Sequence, residues 1–305
     1  MRLLKFSDKN DPVMRAVKAV HSVTVASDSV AAEDLERQRT GQDLFSKLAT
    51  PVLGTTTEFL NIKHIPSEWV RPDFAHRKDR VILYCHGGGY TCGSLKYAGI
   101  LASKLSLHTG LDVLSFEYRL APEHPYPAAI EDGITAWNYL MLQGYGAEDV
   151  IIAGDSAGGN LALEICLKLK SQQRMLPKAL ILLSPWTDMT VTSETYITHQ
   201  KLDPMLTKDY VKAVRGAYAG ADADFASPEY SPLFGDLRGF PKTLIQVGTH
   251  EILLGDSTNL AQRMKEQDVA VSLEICENGW HVFQQMPIRR AGKAMKSIGD
   301  FVQGL

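Results

Sequence analysis

The stretch from Val150 to Asn160, VIIAGDSAGGN, constrains the fold of this 305-residue chain more than any other. An apolar run, Val150 to Ala153, leads into Gly154-Asp155-Ser156-Ala157-Gly158, and apolar residues then return at helical spacing: Ala162, Ile165, Cys166 and Leu169. The pattern reads as strand, sharp turn, helix. A serine at such a turn is held in a strained backbone conformation with its hydroxyl exposed at the carboxyl end of a sheet. The flanking glycines let neighbouring chain pass without a Cβ clash. Gly-x-Ser-x-Gly alone is a weak signal, so its weight rests on the surrounding chain.

That surrounding chain alternates strands and helices. Residues 1 to 50 hold two amphipathic helical patterns, around Val13, Val17 and Val20 and around Leu35, Leu44 and Leu48, closed by Pro51 and Gly54. Glu58 to Ile65 and Trp69 to Arg71 read as a pair of outer strands. Val81 to Cys85 is a continuous apolar run, as expected of a strand covered on both faces. A helix with Leu101 and Leu105, the strand Asp112 to Phe116, and a helix with Ile130, Ile134, Trp137 and Met141 on one stripe lead to the serine turn. Ala179 to Leu183 and Thr243 to Val247 supply further strands, and Val271, Leu273 and Ile275 alternate with polar residues in a last one. A final helix carries Ile288, Ala291, Met295, Ile298 and Val302. This rhythm implies a mostly parallel sheet with right-handed crossovers in one domain spanning residues 1–305. The Thr-rich, then helical stretch from about 189 to 230 interrupts it and reads as a cap element. Residues 1–50 read either as packing against the core or as a further cap element that excludes water from a site. The strand Val271 to Ile275 is expected at a sheet edge, where unpaired backbone would favour a homodimer.

A serine nucleophile needs a histidine base, and that base needs a carboxylate to hold its tautomer and stabilise the imidazolium. In this architecture the order along the chain is Ser, acid, His. Of nine histidines, only His199, His250 and His281 follow Ser156. His281 closes Glu277-Asn278-Gly279-Trp280-His281, which reads as a turn-like loop after the last strand, so it is the candidate base. The loop after Val247 offers Glu251 as the acid, with Asp256 (a helix cap on the rival reading) and Asp188 as alternatives. Acyl transfer also needs donors for a tetrahedral oxyanion. His86-Gly87-Gly88-Gly89 follows an early buried strand, so the N–H groups of Gly88, Gly89 and Ala157 are the candidates. His86 itself is expected to pack beneath that loop. The glycines match neither a dinucleotide fingerprint nor a P-loop.

HGGGY, YRLAPEHPYPAAIEDG, GDSAGGNLAL, SPWTD, SPEYSPL and GWHVF, in this order over about residues 80 to 285, resemble the hormone-sensitive-lipase-like family of microbial esterases. The resemblance implies an α/β-hydrolase core with a helical cap, the triad order above, and cofactor-free hydrolysis of short to medium acyl esters. Many members place Asp, often as D-P-L, where this chain has Glu251-Ile252-Leu253. The expectation is therefore a serine carboxylesterase with Ser156, Glu251 and His281 as its triad. Its alternatives are a related amide or lactone hydrolase and a non-catalytic small-molecule receptor on the same fold.

Composition narrows the partners. With 45% hydrophobic and 22% charged residues and a net charge of -3, there is no electrostatic case for nucleic acid or anionic lipid. A small ester is the expected partner, with no stable membrane insertion. Cys85, Cys92, Cys166 and Cys276 lack metal-site spacing and read as reduced core thiols. Neither a metal nor a cofactor is expected. The N-terminus lacks a signal-peptide pattern, so the expected compartment is the cytoplasm.

Overall fold

Alternate residues of each central strand enter opposite apolar layers, the outcome of a two-residue side-chain period in a strand covered on both faces. Val81, Leu83 and Cys85 join one core cluster with Trp137, Leu161 and Ile165, whereas Ile82 and Tyr84 join another with Leu101, Leu105, Met295 and Ile298. The computed structural model describes residues 1–4, 29–48 and 52–305. The strands are β1 (Arg2–Leu4), β2 (Thr55–Ile62), β3 (Ile65–Pro72), β4 (Val81–Cys85), β5 (Asp112–Phe116), β6 (Val150–Asp155), β7 (Ala179–Leu183), β8 (Lys242–His250) and β9 (Val271–Trp280). The helices are α1 (Ala32–Leu48), α2 (Leu95–Thr109), α3 (Ala128–Leu142), α4 (Ala157–Ser171), α5 (Thr195–Thr198), α6 (Lys208–Ala219), α7 (Leu254–Glu266) and α8 (Arg289–Gln303).

The nine strands of the described residues form one sheet in the order β1-β9-β8-β7-β6-β4-β5-β3-β2. From β1 to β5 every pairing is parallel, and only the β2–β3 hairpin joins antiparallel. This is an α/β-hydrolase fold with helices on both faces of a mostly parallel sheet. Trp137 of α3 is fully covered, and burying a side chain of that size contributes roughly 1.5–3 kcal/mol. On the other face α2 starts at a Ser94 cap whose hydroxyl accepts the Tyr97 N–H at 3.3 Å. It ends at Gly110, which takes the left-handed conformation (φ 66) that glycine adopts without strain.

The sequence expectations meet three corrections. β9 is not the sheet edge, because β1 pairs with it from Glu274 to Cys276. The edge argument for a homodimer therefore falls. Glu277 to Trp280 is not a loop but the continuation of β9, and β8 likewise runs on to His250. Asp256 lies in the first turn of α7, yet its carboxylate accepts the N–H groups of Thr187 and Asp188 rather than capping its own helix. The pattern around Val13, Val17 and Val20 lies outside the described residues, as do Pro51 and the side chains of Leu44 and Leu48. Leu35 is buried on α1. No helix of the described residues is long and apolar enough to cross a membrane.

Candidate active site

Ser156 joins β6 to α4 with φ 54 and ψ -121, a conformation costing a non-glycine residue about 1–3 kcal/mol. Neighbouring structure enforces it. The Ser156 N–H donates to Leu183 O at 2.9 Å, and the Ser156 carbonyl accepts from Gly159 at 3.0 Å and Trp186 at 3.0 Å. A Cβ on Gly154 would collide with the Gly158 carbonyl, and one on Gly158 with the carbonyls of Cys85 and His86. Glycine is required at both places because backbone passes backbone there, bringing the end of β4 against the Ser156 turn, the elbow between β6 and α4.

The acid and base candidates emerge side by side from adjacent strands. In the β8–β9 ladder Gly248 pairs with Cys276, and His250 pairs with Trp280. Two extra residues on β9 are absorbed by a bulge at Asn278, which has φ 54 and donates its N–H to Thr249 Oγ1 at 2.9 Å. Glu251 and His281 are the next residues of the two strands. His281 Nδ1 lies 3.1 Å from Glu251 Oε2, and its Nε2 lies 3.0 Å from Ser156 Oγ. With Nδ1–H donating to the carboxylate, Nε2 is left as the acceptor for the serine hydroxyl.

The glycine-rich loop sits beside this row. Gly87 donates its N–H to Asp155 Oδ1 at 2.9 Å, and Tyr84 and Tyr97 donate their hydroxyls to the same carboxylate at 2.6 and 3.0 Å. Asp155, the residue before Ser156, thus ties the loop to the elbow. Gly88 and Gly89 have φ 119 and φ 63, and Gly88 O accepts from Thr91 and Cys92 to close the turn. Among the described residues no protein acceptor takes the N–H of Gly88, Gly89 or Ala157. His86 is buried beneath, stacked on Tyr118 with centroids 4.2 Å apart, and Nδ1 bonds Gly87 O at 2.8 Å. Burial pushes its pKa down to about 4, so it is neutral.

His281 has a different balance. Burial disfavours the imidazolium, but the hydrogen bond and charge of Glu251, with the charges of Asp203 and Asp155, outweigh it and raise the pKa above 6.5. Glu251 is fully covered, and its Oε1 accepts from Ser184 Oγ at 2.9 Å and from the Gly248 N–H. The rival acids lie elsewhere. Asp256 binds the backbone at 187–188, and burial pushes its carboxyl up to about 8. Asp188 closes its own turn by accepting the Thr190 N–H at 2.8 Å. His199 bonds Thr198 Oγ1 at 2.8 Å, and His250 is a half-buried ladder residue.

A family model described as alpha/beta hydrolase fold matches residues 82–285. A crystal structure of an esterase from the bacterial hormone-sensitive lipase family superposes with a TM-score of 0.90 at 32% identity, covering 97% of this chain and 99% of that one. The chain belongs to the hormone-sensitive-lipase-like α/β hydrolases. This hydrolase is also 39% identical over 228 residues to a protein named esterase from Acinetobacter venetianus, covering 74% of this chain and 75% of the other. It is 34% identical over 265 residues to an acetyl-hydrolase of Streptomyces hygroscopicus, covering 86% of each.

Three residues of the hydrolase site escaped the sequence reading. Ser184 accepts the Val282 N–H at 3.2 Å while donating to Glu251, so one hydroxyl joins the segments carrying Glu251 and His281. Asp203 accepts the N–H of Ile252 at 2.9 Å, and burial pushes its carboxyl up to about 6. Asp155 was visible only as the variable position of Gly-x-Ser-x-Gly. Each acts through residues distant in sequence, so no local pattern announces it.

Proposed function

We propose that this hydrolase is a serine carboxylesterase acting on small, water-soluble esters of short to medium acyl chains. The observation supporting this reading most directly is the hydrogen-bonded row Ser156 Oγ, His281 Nε2, His281 Nδ1, Glu251 Oε2, at 3.0 and 3.1 Å. In the first half-reaction Ser156 Oγ attacks the ester carbonyl as its proton passes to His281 Nε2. The Gly88, Gly89 and Ala157 N–H groups stabilise the oxyanion, and Glu251 stabilises the imidazolium. The tetrahedral intermediate collapses, His281 protonates the departing alkoxide, and an acyl-Ser156 ester remains. Water then attacks that ester while His281 takes its proton, and the acid is released with Ser156 restored.

We assign α1 (Ala32–Leu48) and residues from about 189 to 230 to a cap over this row; Arg2–Leu4 pairs with β9 in the sheet, so the cap expected over residues 1–50 does not include it. Two contacts support the assignment. Arg39 of α1 donates Nε–H to Thr91 O at 2.8 Å at the end of the glycine loop, and Val214 of α6 lies 3.3 Å from where a Gly89 Cβ would be. Four buried, unpaired cysteines support a reducing compartment such as the cytoplasm. Light scattering measures whether a homodimer forms.

The test is a series of p-nitrophenyl esters of increasing acyl length beside an anilide and a lactone, with Ser156→Ala as control. The expected result is fastest turnover at roughly eight carbons or fewer and loss by ~10³ or more in Ser156→Ala. Faster cleavage of the anilide or lactone would reassign the reaction, and an active, folded Ser156→Ala would overturn the mechanism.

A further inference from the structure

The turn that follows His281 is strained. Val282 has φ 50 and ψ 40, a left-handed conformation that a β-branched residue adopts only where its surroundings enforce it. Its N–H is taken by Ser184 Oγ. The next residues, Phe283–Gln285, form one 3₁₀ turn whose final carbonyls lack partners within so short a helix. Those carbonyls are gripped from another layer of the fold. Lys104, on α2, donates from Nζ to Gln284 O at 2.8 Å, Gln285 O at 2.9 Å and Met286 O at 2.9 Å.

A lysine ammonium is strongly hydrated and ordinarily extends into water. This one directs its full capacity of three N–H donors at three consecutive main-chain carbonyls. No carboxylate of the described residues forms an ion pair with it, and burial draws its pKa down to about 8. The carbonyl dipoles are its partners, and what they gain is a fixed point three residues beyond the base.

We propose that Lys104 is a positioning residue for His281: by binding the carbonyls of residues 284–286 it holds the strained Val282 turn, and with it the imidazole, in line with Ser156 and Glu251. The inference rests on the serine-esterase reading. A mispositioned base slows proton transfer without altering substrate binding, so the signature is a fall in kcat at constant KM. A displacement of about 1 Å at a reacting group can cost up to ~10² in rate.

The experiment compares Lys104→Met, Lys104→Arg and a core control, Val302→Ala on α8, well below their melting temperatures. Lys104→Met is expected to lose about 10- to 100-fold in kcat with KM within about twofold. Lys104→Arg, which keeps a cationic donor, should recover most of it. Val302→Ala should lower Tm while leaving kcat near wild type. Folded Lys104→Met with wild-type kcat, or with a raised KM and intact kcat, would overturn the proposal, as would equal losses in the Met and Arg variants. If Lys104→Met does not fold, Lys104→Gln, uncharged and shorter, is read by the same criteria. Ser156→Ala runs alongside: its activity would sink the esterase reading, whereas an inactive Ser156→Ala beside an unperturbed Lys104→Met sinks this inference alone.

Discussion

His250 and Trp280 are partners in the β8–β9 ladder, and the residue after each is one of the two groups that meet at 3.1 Å, Glu251 and His281. Parallel strands in register deliver consecutive side chains to the same end of the sheet, so the acid–base contact is a property of strand pairing. It depends on the bulge that lets Trp280 catch up with His250.

That dependence can be tested at Gly248. A Cβ there would collide with the Gly279 carbonyl, which is backbone and cannot swing aside. Gly248→Ala should therefore shift the bulge, costing roughly 1–3 kcal/mol of stability and at least ~10-fold in kcat through misplacement of His281. Denaturant unfolding and steady-state kinetics check it, and unchanged values in both would show that the bulge does not set the contact.

Ser184→Ala removes the hydroxyl shared by Glu251 and the Val282 N–H. Loss of a buried hydrogen bond to a carboxylate costs about 1.5–3 kcal/mol. The expected outcome is a lower Tm together with a kcat reduced by about 3- to 30-fold, since part of that energy orients the acid. A drop in Tm with full kcat would confine Ser184 to stability.

The pH profile follows from the sign of the His281 shift. On the proposed mechanism the neutral imidazole is the base, and its pKa is raised above 6.5, so the acid limb of kcat/KM should have its midpoint above 6.5. Glu251→Gln removes the hydrogen bond and charge that contribute most to raising the value and leaves only the charges of Asp203 and Asp155 against burial, which lowers it. The midpoint should move to lower pH as the plateau falls by ~10² to 10⁴. A midpoint that stays in place would mean that Glu251 does not face the titrating base.

Asp256→Asn should behave differently. The asparagine Oδ1 can still accept the N–H groups of Thr187 and Asp188, which Asp256 Oδ2 accepts at 2.9 and 3.0 Å, and no part of Asp256 reaches His281. Turnover should stay within about threefold of wild type. A crippled Asp256→Asn beside a near-normal Glu251→Gln would move the acid to Asp256.

Asp155→Asn tests the link between elbow and glycine loop. The carboxylate accepts from Gly87, Tyr84 and Tyr97, and an amide offers one acceptor oxygen in place of two. With the loop loosened, the oxyanion donors lose alignment, and kcat should fall by about 10- to 10³-fold with little change in KM. A raised KM with kcat unchanged would place the effect in substrate binding instead.

Local chemistry by itself determined much of this protein. Continuous apolar runs such as Val81 to Cys85 mark strands buried on both faces, helical spacing marks Ile130 to Met141, and glycines flanking Ser156 mark a turn, because each signal is complete within a few residues. That Ser156, Glu251 and His281 each follow a strand was legible for the same reason, but Asp256 and Asp188 stayed open as alternatives to Glu251 until the fold set Glu251 beside His281. Only the tertiary structure decided how far β8 and β9 continue. Asn278 and Gly279 carry turn chemistry, yet they form a bulge because ladder hydrogen bonds resume at Trp280. The pairing of β1 with β9, the hydroxyl of Ser184 between acid and base, and the grip of Lys104 on residues 284–286 were equally illegible. Each is a hydrogen bond whose donor and acceptor lie far apart along the chain, and a hydrogen bond's direction exists only once both ends have been placed.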